Sequence, residues 1–175
     1  MRGVDVTVRR LGEADSLDEL TALLHRAYAA LAARGLRYVA SHQSVEVTRR
    51  RVAHGECWVA ERAGRVVGTV TLSAPGTPVR DEAPRLYARP DVAHFAQFGI
   101  EPELQRHGIG SLLMTRVEAR ARELGAREIA LDTSEHARDL IAWYVARGYR
   151  PAGRHDWRPH VNYESVLLSK RLADT

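Results

Sequence analysis

Cysteine is almost absent. Cys57 is the only one in 175 residues, so the chain can form no internal disulfide and no multi-cysteine zinc site, which suits a reducing compartment. Long apolar runs are missing too. No stretch approaches the ~18 uninterrupted apolar residues of a membrane helix, and Met1-Arg2-Gly3-Val4-Asp5 carries no apolar signal region. The sequence therefore predicts a cytoplasmic protein without a membrane partner. The net charge of +4 is scattered, with Arg49-Arg50-Arg51 its only run of three basic residues. That run reads as a solvated helix face, and no recognised nucleic-acid motif accompanies it, so nucleic acid is not an expected partner. Repeats and low-complexity tracts are absent. So are the two best-known phosphate loops: there is neither a Gly-x4-Gly-Lys-Ser/Thr segment nor a spaced triple glycine with a downstream acid.

What remains suits one globular domain over residues 1–175, with 45% apolar content. Val4 to Arg10 alternates like a half-buried strand. Ser16-Leu17-Asp18-Glu19 reads as a capping box, followed by an apolar helical stripe from Leu17 to Leu31 that stops at Gly35. Ser44 can cap a shorter helix to about His54. Glu56–Arg62 and Arg65–Ser73, joined at Ala63-Gly64, form a hairpin signal. Five glycines and prolines between Ala74 and Asp91 predict a surface loop whose tip walls a substrate site. A strand from Ala93 to Ile100, a helix from near Gly108 to Gly125, a strand from Glu128 to Asp132 and a helix capped by Ser134 and running to Arg147 make a parallel crossover. Two strands, Tyr149–His155 and Tyr163–Lys170, close the chain.

The most informative segment is Gln105-Arg106-His107-Gly108-Ile109-Gly110, placed between a strand and a helix. A helix opening there aims unpaired N–H groups and a partial positive charge forward, and glycines let an anion approach. After Ile100-Glu101-Pro102, this segment resembles the acyl-CoA-binding motif Arg/Gln-x-x-Gly-x-Gly/Ala of the GNAT superfamily of N-acetyltransferases. Tyr144-Val145-Ala146-Arg147-Gly148-Tyr149 is similar to the Tyr-x-x-x-Gly-Phe/Tyr of the same family. The resemblance covers nearly the whole chain. It implies an α/β fold, a mixed sheet of six to seven strands flanked by helices with a central βαβ acyl-CoA-binding unit, and acetyl-CoA as cosubstrate with no metal.

Acetyl transfer to an amine needs an anchored thioester, a neutral amine, a donor for the oxyanion and an acid for the departing thiolate. For anchoring, the N–H groups of Gln105, Arg106, His107, Gly108, Ile109, Gly110 and Ser111 face the pyrophosphate, with Arg106 adding charge at the rim. Tyr144 falls on the apolar stripe Ala137, Leu140, Ile141, Tyr144, and the resemblance makes it the general acid. Relatives often carry Asn and Ala where this chain has Ala137 and Leu140, and Thr133, Ser134 or His136 are the alternatives for that cofactor contact. Gly99 and Ile100 are the expected oxyanion donors. His94 is the candidate base where relatives often hold a carboxylate, with Glu101 as the other option. Cys57 reads as a small buried thiol and not an acetyl carrier. His155, Asp156 and His160 fit no metal pattern, and Trp157 and Tyr163 are candidate linings of an acceptor pocket.

The sequence thus points to an acetyl-CoA-dependent N-acetyltransferase acting by direct attack on a small-molecule amine. Its alternatives are a CoA-binding regulatory domain without turnover and a protein N-terminal or lysine acetyltransferase. A homodimer is compatible with the chain.

Overall fold

The computed structural model describes residues 5–173; the Val4 end of the first expected strand lies outside them. Strand β1 (Thr7–Arg10) leads to helix α1 (Leu17–Ala33), whose N-terminus is closed by the Ser16 hydroxyl accepting from the Glu19 N–H at 3.2 Å. Ser44 does the same for helix α2 (Val45–Ala53) through the Val47 N–H. Strands β2 (Glu56–Arg62) and β3 (Arg65–Ser73) follow. Ala63 and Gly64 both take positive φ, 50° and 75°, which a two-residue hairpin turn requires. Arg62 accordingly sits opposite Arg65.

The 74–91 segment is a loop carrying one turn of 3-10 helix at Arg85–Ala88. Strand β4 (Val92–Ile100), helix α3 (Ile109–Glu123) and strand β5 (Glu128–Ser134) make the crossover, with β4 and β5 parallel. Helix α4 (Arg138–Ala146) and strands β6 (Arg150–His155) and β7 (Ser165–Arg171) complete a seven-stranded sheet in the order β1-β2-β3-β4-β5-β7-β6. Its other neighbouring pairs are antiparallel. The helix expected from Ser134 starts four residues later: Ser134 ends β5, and its oxygens accept from the His136 and Ala137 N–H groups in a tight turn.

Side-chain alternation sorts the strands onto two faces. On one, Ala93, Phe95, Ile129 and Leu131 pack with Ile109, Leu113, Met114 and Val117 of α3 and with Tyr144 of α4. On the other, Leu20 and Leu23 of α1 cover Cys57 and Val59, while Val92, Ala130 and Leu167 pack with Tyr87.

The feature that positions the site is a distortion of β4. Thr71 lies opposite Ala96 and Thr69 opposite Gly99, so two residues, Gln97 and Phe98, oppose one on β3. Gln97 holds φ 54° there, a conformation uncommon outside glycine and typical of a bulge. Beyond it β4 leaves β5: their pairing is confined to Val92–His94 against Glu128–Ala130. The sheet therefore opens between residues 96–100 and 131–134. Helix α1 presses on the distorted stretch, and a Cβ built on Gly99 would stand 2.9 Å from the Ala27 Cβ. Gly99→Val is expected to destabilise the protein by about 2–3 kcal/mol through overpacking, read as a lower denaturant midpoint at unchanged slope. No change would mean that α1 shifts freely.

Candidate functional site

The turn before α3 leaves a row of backbone donors open. Arg106 and Gly108 take φ 64° and 87°, which rolls the backbone so that Gly108 becomes the N-cap of α3 with no side chain closing the helix end. The N–H groups from Arg106 to Ser111 have no protein acceptor among the described residues, whereas the Leu112 N–H already bonds Gly108. Such a row of free donors is what a pyrophosphate needs. A Cβ on Gly108 would meet nothing within 4 Å, so open space lies in front of the cap; one on Gly110 would meet Phe98 at 3.2 Å. Gly108 thus faces outward and Gly110 packs inward. Gln105 departs from its expected place, because its N–H bonds Pro102 and its side chain bonds the Ile100 carbonyl. The cradle begins at Arg106. The His107 imidazole bonds the Gln105 carbonyl and braces the turn.

At the opening of the sheet, the Glu101 N–H donates to Val67 across β3 at 2.8 Å. Ladder alternation then turns the Gly99 N–H toward β3 as well and leaves the Ile100 N–H facing the gap. Of the two expected donors, only the Ile100 N–H is left free of the β3 ladder. Glu101 is unavailable as a base: Arg26 grips both its oxygens, at 2.7 and 2.9 Å, and holds its carboxyl below the usual range. Ser134 is fully buried, and its N–H reaches the Tyr38 hydroxyl, which also bonds Thr133. Thr133 and Ser134 are therefore engaged by Tyr38, while His136 is exposed.

Tyr144 lies under the gap among Phe95, Phe98, Trp143 and Tyr149, with ring centroids 5.1–6.3 Å away. Burial, ahead of the neighbouring tyrosines, raises its phenol well above the ordinary value, so it is a proton donor at neutral pH. The hydroxyls of Tyr28, Tyr38, Tyr87 and Tyr149 have partners. That of Tyr144 has none among the described residues, and its proton is uncommitted.

His94 is the last β4 residue paired with β5. The Tyr87 ring stacks on it at 4.2 Å, and its Nδ1 is buried without a partner. Desolvation lowers the imidazole to about 4. An unfolded His94 titrates near ~6.5, so between these values the unfolded chain binds the extra proton, and stability rises with pH through that window. Acidification from pH 6.5 to 4 should cost up to about 3 kcal/mol at this residue. Denaturant titrations of the wild type and His94→Gln at pH 7 and 4.5 test this, the variant having the shallower dependence; identical dependence would mean the imidazole is hydrated.

The α1/α2 face of the gap gathers charged and aromatic groups, of which Tyr87, Asp132 and Arg51 were not singled out in the sequence. Tyr87, from the loop, donates to Asp132 Oδ1 at 2.6 Å, and Trp157 donates to Oδ2 at 3.0 Å. Tyr28, Tyr38 and Tyr163 pack in succession with tilted rings, centroids 5.2 and 4.9 Å apart. Arg49 and Arg50 are exposed as expected, but Arg51 turns inward and donates to Gln43 at 2.8 Å. Burial lowers its pKa, opposed by Tyr28, Asp132 and Tyr163. A signal existed: Arg51 falls three residues after Thr48 and four after Val47, on the inward stripe of α2. Trp157 packs with Tyr87, and Tyr163 with Tyr38. Cys57 packs on α1, with its thiol pushed up by burial. His155 meets Trp157 edge to face, and Asp156 pairs with Arg158.

The family model described as acetyltransferase (GNAT) family matches residues 18–149. The S-(2-succino)cysteine N-acetyltransferase of Bacillus subtilis (strain 168) is 28% identical over 166 residues, 93% of this chain and 94% of that protein. The amino-acid acetyltransferase of Azotobacter vinelandii is 29% identical over 111 residues, 63% of this chain but 22% of that protein. Among solved structures, a GNAT family acetyltransferase from Elizabethkingia anophelis with acetyl-CoA bound superimposes with TM-score 0.68 at 15% identity, over 96% of this chain and 99% of that one. At that identity the likeness is one of fold.

Proposed function

The chain belongs to the acetyltransferase (GNAT) family, and from that premise we propose that it moves the acetyl group of acetyl-CoA onto a primary amine of a small molecule, by direct attack in a ternary complex. One observation carries this reading: the free N–H row opens α3 where Gly110 packs on Phe98 and Ile100 of the strand that has left β5, and Phe98 packs in turn on Tyr144.

The N–H groups from Arg106 to Ser111 hold the pyrophosphate, and the Arg106 guanidinium adds charge at the rim. The bound thioester supplies an activated acyl carbon. The Ile100 N–H faces that carbon's oxygen and stabilises the negative charge developing there. Tyr144, protonated throughout the neutral range, donates to the leaving sulfur from the α3/α4 face. The amine arrives from the opposite face, past Tyr28, Tyr38 and Tyr163. His94 is neutral at pH 7 with a free Nδ1 and takes up the proton that the amine loses. Cys57, packed against α1 away from Tyr144, takes no part.

The small-molecule acceptor rests on likeness to the Bacillus subtilis enzyme, whose name gives a modified amino acid as its substrate. The test is CoA release from acetyl-CoA against a broad amine panel and a set of peptides. Release with small amines is expected. Tight coenzyme binding with no release for any acceptor would overturn the transferase reading in favour of a regulator.

A further inference from the structure

Resting on that transferase reading and deepening it, we propose that the acceptor is an amino acid, its carboxylate bound by Arg51 and its amino group steered by Asp132. The first observation is an imbalance of charge. Several partly buried arginines have acids: Arg9 pairs with Asp15 and Glu61, Arg120 with Glu56, and Arg147 with Glu118. Arg51 is drawn into the interior from α2, yet among the described residues it has no acid within ion-pair distance, and its one side-chain bond is to a neutral amide, Gln43 Oε1. A guanidinium removed from water is costly unless an anion meets it. Its fork of donors matches a carboxylate in two parallel bonds.

The second observation is how that guanidinium is aimed. The Gln43 amide nitrogen donates to Gln97 Oε1 and Thr48 Oγ1, both at 2.7 Å, which turns its carbonyl oxygen toward Arg51. Gln97 in turn donates to Thr71 at 3.2 Å. Gln97 is the positive-φ residue of the β4 bulge, so the distortion that opens the sheet also anchors the arginine. Gln43, Thr48, Gln97 and Thr71 are all buried, and such a network specifies one geometry.

The third is the complementary charge. Asp132 lies on β5, two residues beyond its last pair with β4. Tyr87 and Trp157 hold one oxygen each, and an ionised carboxylate has about four acceptor sites, so roughly two remain for an incoming ammonium. Asp132 and Arg51 make no ion pair with each other among the described residues; Gln97, which anchors the arginine through Gln43, and Asp132 stand on the two strands that flank the opening. A cation-binding and an anion-binding group facing one gap fit a zwitterion, the amine nearest the thioester.

Paired acceptors test this: glutamate, methionine and phenylalanine, each beside its α-amide and its decarboxylated amine. For the wild type, kcat/KM should favour the free carboxylate by at least about 30-fold, mainly through KM. In Arg51→Gln that ratio should fall toward 1, with Arg51→Lys between. An arginine that only supports the fold would lower both members of each pair alike and leave the ratio standing, which overturns the inference. Calorimetry with the same pairs in the presence of CoA decides it without turnover. Binding of amino acids over amides supports it even if no acetyl transfer is seen, in which case the transferase reading alone fails. Equal binding, or none at millimolar concentration, overturns it.

Discussion

Gly108→Asp is expected to reduce affinity for acetyl-CoA by at least about 100-fold, enough to remove a calorimetric signal at micromolar protein. Two charge-assisted hydrogen bonds lost at about 1.5–3 kcal/mol each account for that much, before repulsion between the new carboxylate and the pyrophosphate. The position is chosen on structural grounds. Gly108 holds φ 87° and its missing Cβ faces open space, so aspartate there costs about 1–2 kcal/mol of backbone strain and collides with no protein atom. Its carboxylate would itself cap α3, occupying the donors a phosphate would use. Gly110, equally attractive in the sequence motif, is a poorer probe: a side chain there runs into Phe98 at 3.2 Å, and lost binding could not be separated from lost packing. The checks are calorimetry with CoA and a thermal melt. A folded Gly108→Asp variant with normal affinity would put the cradle in the wrong place.

Tyr144→Phe should lower the rate constant of the chemical step by about 100- to 1000-fold, the range for loss of a positioned acid, with the acetyl-CoA dissociation constant within about threefold of the wild type. The separation is clean because phenylalanine keeps the ring that packs with Phe95, Phe98, Trp143 and Tyr149, and the lost hydroxyl has no protein partner to orphan. Stability should change little. Because burial raises the phenol well above its ordinary value, the wild-type rate should show no loss from tyrosine ionisation up to pH 10. Single-turnover measurement decides the matter: an unchanged rate in the variant would remove Tyr144 from the chemistry.

Much of this architecture was legible in the chain. Ala63-Gly64 announced the hairpin because positive φ is a local demand, and Ser16 and Ser44 announced helix starts because their caps lie three residues away in sequence. The glycine turn was legible for the same reason. Groups committed through distant contacts were misplaced. Gln105 is the local exception, its N–H turning back to Pro102 three residues earlier. Glu101 looked like a base until Arg26, 75 residues earlier, took both its oxygens. Gly99 looked like an oxyanion donor, yet the ladder turns its N–H to β3 and α1 sits against its missing Cβ. Arg51 was hidden in a basic run whose two other members are solvated.

Element order, the hairpin, the Ser16 and Ser44 caps, the parallel crossover and the glycine turn could be read from the chain alone, because each depends on periodicity or dihedral freedom within a few residues. Only the tertiary structure decided where the sheet opens, since the bulge at Gln97 is held by Gln43 and Thr71 from other elements. It alone turned Arg51 inward and brought Tyr87 and Trp157 onto Asp132. Charge pairing, burial and hydrogen-bond commitment are properties of neighbours in space, and a linear chain does not carry them.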